Sequence, residues 1–460
     1  MSSQISNGSS SNGSSSNGSS SNGSSSNDSS SNGSSSNGSS SNDSSVFQFP
    51  VPVPKIESKC IEFDDGYTLK YGSNTDIGGN KYNQDASCVV QFKSDTLNKS
   101  GSAFCIADGH GKEGELAANV GTNRLKELIE ERVDELVVNP VSFLDFAFKD
   151  IHEEIKSKLV EKLAEDGYEV EMNDRGDVTA RKFAHNAFTV IKCGTTFSVI
   201  VFLDKKLYIA NVGDSTGILY SDKPVFKQSQ LISQLNSSSS PDTEEKEALT
   251  NYIELTGNHS PENPIEYIRM RDFKCSEEDP LCAALKCVYD NQSEENKYNC
   301  PNVFNMSEEG TPTVRPQDES FTFYNKNVRK EKATYVADRN GFNAMSSTRA
   351  LGDFGLNFQG VSCNAEIQTI DLEAIFNQNI DTNTLCFVLC SDGVWDNWIY
   401  DHVGKFVFDK SCLNAIVTDK EKGAQRVTNS FMLRNQTFAK KNFGGNSDNA
   451  TGIVVYIEKR

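Results

Sequence analysis

Basic residues are in short supply in this 460-residue chain: 45 lysines and arginines stand against 64 acids, a formal charge of −19. A surface of that balance repels polyanions, which argues against nucleic acid or an anionic membrane as partner. Any run of 18 apolar residues is also missing, so no segment reads as a membrane-spanning helix. No basic-then-apolar leader precedes the Asn-Gly-Ser triplets near the start, and these are read as unmodified rather than glycosylated. For the same reason the twelve cysteines are expected to be reduced thiols of a cytoplasmic or nuclear protein. Cys105, Cys193, Cys386 and Cys390 lie inside apolar runs, where cysteine is a small core residue. Cys275, Cys282, Cys287 and Cys300 fall near one another, but with irregular spacing and no histidine nearby. They are read as surface or loop thiols, not a zinc site.

The chain divides by composition. Residues 1–45 are dominated by a five-residue Asn-Gly/Asp-Ser-Ser-Ser repeat with no side chain able to build a core, which predicts a disordered tail. Residues 46–63 contain prolines and read as an extended linker. Residues 64–460 form the expected folded domain. Strand-like apolar runs appear at 86–92, 103–108, 195–204, 207–214, 385–392 and 451–458, and 197–212 reads as an antiparallel hairpin turning at Asp204-Lys205-Lys206. Helical spacing marks 113–137, 141–163 and 423–438. Hairpins argue for antiparallel pairing, and helices of this length must cover sheet faces, so the expected class is α+β. Two stretches lack such order: about 220–254 with its Ser-Ser-Ser-Ser-Pro, and about 271–332, polar and acidic. Both are read as surface insertions formed of solvated loops.

The features that carry chemistry are short aspartate motifs, most of them where an apolar run breaks. They are Asn83-Gln84-Asp85, Asp108-Gly109-His110-Gly111, Gly213-Asp214-Ser215, Arg349-Ala350-Leu351-Gly352-Asp353, Ser391-Asp392-Gly393, Asp396 and Asp448-Asn449. Each alone is a common turn. As a series they bring several anionic oxygens to one edge of a β-scaffold, and such a cluster is stable only around cations. No Asp-x-Asp-x-Asp-Gly loop is present, which argues against an acidic calcium-binding module.

The order and flanks of these motifs resemble the metal-dependent protein serine/threonine phosphatases of the PP2C family. The matching pieces include Phe104-Cys105-Ile106-Ala107-Asp108-Gly109-His110-Gly111, Gly194-Thr195-Thr196, Ala210-Asn211-Val212-Gly213-Asp214-Ser215 and Leu255-Thr256-Gly257-Asn258-His259-Ser260-Pro261. They continue with Ser347-Thr348-Arg349-Ala350-Leu351-Gly352-Asp353, Ser391-Asp392-Gly393-Val394-Trp395-Asp396 and Ser447-Asp448-Asn449-Ala450-Thr451. The resemblance implies a central antiparallel β-sandwich flanked by helices on both sides, a four-layer α/β/β/α domain, with two Mg²⁺ or Mn²⁺ ions at one end. It implies Asp85, Asp108, Asp392, Asp448 and the Gly109 carbonyl as metal ligands, and Asp214 and Asp396, with Thr196 nearby, at positions associated with a weaker third metal. The implied substrates are phosphorylated proteins, and the expected form is a monomer.

The chemistry of a phosphate monoester agrees with this. Its two negative charges repel a nucleophile unless cations intervene, and a water shared by two metals bridged through Asp108 can titrate near pH ~7. His110 is positioned as general acid for the departing serine or threonine oxygen. Glycines 109 and 111 are expected to let the backbone turn so that a carbonyl faces a metal. Arg349 and Asp353 read as an internal ion pair, and Trp395 and Trp398 as packing residues. Relatives carry an arginine where this chain has Asn80, and Lys81, one residue on, stands in as a phosphate-binding point charge. Gln84 and Asn258 replace acids found in many relatives. The alternative reading is a catalytically silent relative that binds phosphoproteins. Loss of a ligand aspartate would mark it, and Asp85, Asp108, Asp392 and Asp448 are all present.

Overall fold

The strands of this chain are apolar on both sides, and that dictates layering. In the computed structural model, the described residues are 60–460 apart from 175, 228–231, 234–247, 274–284, 292–293, 295, 309, 317–322, 340–343 and 380. The repeat of 1–45, nearly all of the linker, Cys275 and Cys282 lie outside them. The principal elements are β1 (Tyr67–Asp76), β2 (Asp85–Ser94), β3 (Lys99–His110), α1 (Gly114–Glu131), α2 (Pro140–Glu165), β4 (Phe197–Leu203) and β5 (Lys206–Val212). They continue with β6 (Thr216–Tyr220), β7 (Glu366–Asp371), β8 (Thr384–Cys390), α3 (Gly423–Asn442) and β9 (Ala450–Lys459).

One sheet runs Cys60–Glu62, β1, β9, β8, β6, Tyr252–Glu254. The other runs Ile232–Ser233, β7, β5, β4, β3, Gly194–Thr195, Leu351–Gly352, with β2 also on β3. Every pairing is antiparallel.

Alternation along β3 shows how the layers form. Phe104 and Ile106 join Leu207, Phe387, Leu389, Ile453 and Val455 between the sheets, whereas Ala103, Cys105 and Ala107 face the cluster built with α1 and α2. Across β8, Cys386, Val388 and Cys390 point instead to α3 and its neighbours. Both faces are covered, so each strand reads as one continuous apolar run. Tyr71, Phe104 and Phe387 stack edge to face through the middle, with ring centroids 5.4 and 5.3 Å apart. Each fully buried side chain of this kind contributes roughly 1.5–3 kcal/mol. The expected α/β/β/α sandwich is what the chain forms.

Local chemistry sets the helix ends. Asn139 caps α2 by accepting from the Ser142 amide at 3.1 Å, and Pro140 occupies the first turn. The predicted helix over 113–137 is broken at Arg132 into α1 and a short Val133–Val138 helix. The run at 385–392 ends its strand at Cys390, and Asp392 opens a helical turn, Asp392–Trp395.

The stretch read as a loop insertion at about 271–332 is partly ordered. Lys286–Tyr289, Phe304–Met306 and Pro312–Val314 are strands, and Cys287, Tyr289, Val303, Phe304 and Phe323 pack with Val336, Met345 and Leu356 in a separate apolar cluster. Cys287 is buried there and Cys300 in a smaller cluster with Val288 and Ala337, so neither is a surface thiol. In 220–254, Ile232–Ser233 pairs with β7 and Tyr252–Glu254 with β6. Short strands with few apolar residues give too weak a period for sequence alone to reveal them.

Candidate active site

Antiparallel pairing delivers the aspartates to one end of the sandwich. Asp85 opens β2 directly opposite Asp108 near the end of β3. Cys390 at the end of β8, two residues before Asp392, pairs with Gly452 near the start of β9, four residues after Asp448, and Asp214 follows the end of β5. Like charges set opposite each other destabilise a sheet, so something else must hold this arrangement. Asp108, Asp214, Asp392 and Asp448 line a cavity of about 370 Å³ together with Gln84, His110, Thr196 and Asp353. Val178, Val190, Ile191, Met345 and Leu356 form its apolar wall. A second cavity of about 320 Å³ shares Asp214, Asp392 and Asp448 and adds Asp396 and Lys326.

The electrostatics of the cluster are those of anions in want of cations. Burial, then the charges of Asp85, Asp392, Asp448 and Asp214, pushes the Asp108 carboxyl well above the usual carboxylate range. Burial, then Asp214, Asp396 and Asp448, does the same to Asp392. Burial lifts Asp85 to about 6 although Ser391 and Thr451 hydrogen-bond it. Asp396 is lifted by burial to about 7 against the lowering effect of Lys326 and Arg329. Asp85 Oδ1 and Asp392 Oδ1 are buried without a hydrogen-bond partner in the structure, a costly state for carboxylate oxygens. Among the described residues no three His, Cys, Asp or Glu side chains are already drawn together in ligand geometry. The donor chemistry nevertheless fits hard divalent ions: carboxylate oxygens, two of them orphaned, with a backbone carbonyl at Gly109.

Hydrogen bonds with Ser391, Asn449 and Thr196 hold these groups. The Ser391 hydroxyl donates to Asp85 Oδ2 at 2.8 Å and accepts from the Thr451 amide at 2.9 Å, tying β2 to β9. Asn449 accepts from the Gln84 amide at 2.8 Å and donates to the Ile77 and Tyr82 carbonyls, pinning the loop that enters β2. Thr196 accepts from the Asp108 amide at 3.1 Å and shares a hydrogen bond with Ser215. Asn449 sits inside a motif visible in sequence; nothing in the sequence marks its contacts.

Gly109 does not turn the chain. It continues β3, and a Cβ there would lie 2.2 Å from the Gly114 carbonyl oxygen, so the requirement is close approach. Gly111, at φ +83°, is the residue that turns.

His110 is half-buried, and its Nε2 lies 2.6 Å from Asp353 Oδ2. Desolvation pulls the imidazole down, but the Asp353 charge and hydrogen bond outweigh it and hold His110 above its ordinary value. Asp353 adopts a left-handed backbone, φ 49°, which Asp tolerates better than most residues. Its amide donates to the Cys193 carbonyl at 2.9 Å, and the neighbouring Gly352 amide donates to His152 Nδ1 at 3.1 Å. A Cβ on Gly194 would lie 2.1 Å from Asp353 Oδ2 and 2.4 Å from His110 Nε2, so only glycine admits this pair.

The expected Arg349–Asp353 ion pair does not form. Arg349 instead grips Glu266, with Nη2–Oε1 at 2.5 Å and Nε–Oε2 at 3.1 Å, in a buried fork that Thr348 and Arg269 also join. Burial favours the neutral acid, but Arg349 overrides it and draws Glu266 down to about 2. Removing one partner of a buried pair strands the other charge. Arg349→Met is therefore expected to lower stability by roughly 3–5 kcal/mol, read as the midpoint of urea unfolding. Lys81 lies with its ammonium 5.0 Å from the Tyr82 ring centre and does not line either cavity. Asn80 reaches the site instead, donating to Asp448 Oδ1 at 2.8 Å. Trp395 and Trp398 are buried packing residues against the helices outside β8.

Residues 71–279 match the family model described as "Protein phosphatase 2C". The match takes in Asp85, Asp108, His110 and Asp214, while Asp353, Asp392 and Asp448 lie beyond its end. Comparison with curated protein sequences gives no match. Among solved structures, serine-threonine phosphatase 2C from Toxoplasma gondii is 14% identical with a TM-score of 0.47, covering 88% of this chain and 98% of that one. The catalytic domain of the serine/threonine protein phosphatase PstP, solved in complex with two manganese ions, is 13% identical with a TM-score of 0.37, covering 85% and 99%. A sex-determining protein of C. elegans is 14% identical with a TM-score of 0.45, covering 84% and 64%.

Proposed function

We propose that this chain, a member of the protein phosphatase 2C family through residues 71–279, hydrolyses phosphoserine and phosphothreonine on proteins in a reaction that needs Mg²⁺ or Mn²⁺. One observation carries the reading: several carboxylates, among them Asp392 with its buried orphaned oxygen, meet beside a histidine–aspartate pair in a single cavity. Asp85, Asp108, Asp392, Asp448 and the Gly109 carbonyl would hold two divalent ions. When bound, those ions supply positive charge toward the phosphoryl oxygens and acidify the attacking water.

The remaining work belongs to the chain's own groups. Nε2 of His110 is engaged by Asp353, which leaves Nδ1 to deliver a proton to the departing serine or threonine oxygen. The apolar wall of Val190, Ile191, Met345 and Leu356 excludes water from the leaving-group side and accommodates apolar residues beside the phosphorylated one. The monomer is the working form, and the cytoplasm or nucleus the compartment.

The test is turnover of a phosphothreonine peptide by the full chain with Mn²⁺, with Mg²⁺ and with EDTA. Phosphate release that requires the metal and stops with EDTA supports the reading. Mn²⁺ binding without any turnover would establish the silent, phosphoprotein-binding relative in its place.

A further inference from the structure

The acidic end of the sandwich already contains one positive charge of its own. Lys326 comes from the polar segment that precedes Thr334, far in sequence from every aspartate of the cluster, yet it lines the same cavity as Asp214, Asp392 and Asp396. The charges that act on its ammonium are, in order, Asp214, Asp396, Asp392 and Glu331. Lys326 is in turn the largest influence drawing the Asp396 carboxyl down against burial.

The side chain is also presented by a built structure. Lys326 begins a tight turn closed by its amide on the Glu331 carbonyl at 2.8 Å, with Asn325 bridged to Lys332. Within the turn Arg329 forks onto Glu331, at 2.8 and 3.1 Å, and Asn327 donates to the same carboxylate at 2.7 Å. The turn is fastened to the aspartate loop itself. The Val328 amide donates to the Asp396 carbonyl at 3.0 Å, and Arg329 Nη1 reaches the Trp395 and Trp398 carbonyls. A lysine held this way is present at the acids at all times, whereas a dissolved ion must be captured.

Resting on the two-metal reading above, we infer that Lys326 is the resident cation of the Asp214–Asp396 pair, so that this chain takes up two divalent ions and not a third. An ammonium is a compact, strongly hydrated point charge with three donors. It offsets the crowded carboxylates without occupying metal-ligand geometry, and it repels a dication approaching the same oxygens. Asp85, Asp108, Asp392 and Asp448 are left to the two ions.

Mn²⁺ binding to the full chain, counted by the loss of the free-ion electron-spin-resonance signal and by calorimetry, tests this directly. The wild type is expected to saturate at two ions. Lys326→Met is expected to bind a third, with affinity raised on the order of tenfold or more at that site, and Lys326→Met/Asp396→Asn to return to two. Lys326→Arg keeps the charge and is expected to stay at two. If circular dichroism shows that the methionine variant does not fold, Lys326→Gln takes its place.

A third ion on the wild type, or only two on a folded Lys326→Met or Lys326→Gln protein, overturns the inference. So does a folded variant that keeps two ions but loses inhibition by inorganic phosphate, which would make Lys326 a phosphate-binding group. A wild type that binds no Mn²⁺ at all overturns the two-metal reading underneath, an outcome distinct from a count of three.

Discussion

Asp392→Asn is expected to reduce phosphopeptide turnover by a factor of about 10³ or more while making the metal-free protein more stable, by on the order of 2 kcal/mol. The two effects have one cause. Asp392 is buried with an unpartnered oxygen and is pressed by Asp214, Asp396 and Asp448. Without cations its charge opposes folding, and on the proposed reading it becomes a ligand when they bind. The sign in pH follows from the raised carboxyls. A group whose folded value lies above its unfolded value binds more protons when folded, so stability falls as pH rises between the two. For Asp85 and Asp396 that interval runs from the ordinary 3.8 to about 6 and about 7. The metal-free wild type should lose melting temperature across this range and regain it with Mn²⁺, and Asp392→Asn should flatten the slope. A variant that melts lower than wild type in EDTA, or that keeps turnover, would show that Asp392 braces the fold instead.

Asp353→Asn should separate the histidine's two states. Asp353 holds His110 above its ordinary value through a 2.6 Å contact, and a general acid must be protonated to act. Neutralising Asp353 removes that support, so the alkaline limb of the rate profile should move to lower pH. With a phosphothreonine peptide, whose alkoxide leaves poorly, the rate at alkaline pH should fall by roughly 10²-fold or more. An aryl phosphate, whose leaving group needs little help, should be much less affected. Equal losses on both substrates, with no movement of the limb, would reduce Asp353 to a structural contact of the Gly352–Asp353 turn. His110→Ala supplies the matching measurement: it should abolish the limb and keep the same substrate difference.

Much of this site could be read before any coordinates. Asp85, Asp108, Asp392 and Asp448 stand out because each lies at the boundary of an apolar run, and boundaries survive even when the partner strand is unknown. What escaped were contacts chosen by neighbours far along the chain. Ser391 meets Asp85 across 306 residues, and His110 meets Asp353 across 243. Arg349 and Asp353, four residues apart, read as an internal ion pair. That spacing brings side chains together on a helix, and here Leu351–Gly352 is a strand lying on Gly194–Thr195. The strand carries Asp353 to His110, while Arg349 is left facing Glu266 across 83 residues.

The amino-acid sequence alone determined the layer class and the end at which acids gather. Strands covered on both faces must be written as unbroken apolar runs, and helices that cover them must repeat near 3.6. Those are local properties of a linear code. The tertiary structure alone decided the partners: which carboxylate orients the histidine, which acid neutralises Arg349, and that a lysine from a polar segment stands among the aspartates. Charge pairing depends on distances of a few ångströms in space, and close approach at single positions such as Gly194 sets those distances only after the sheets have packed.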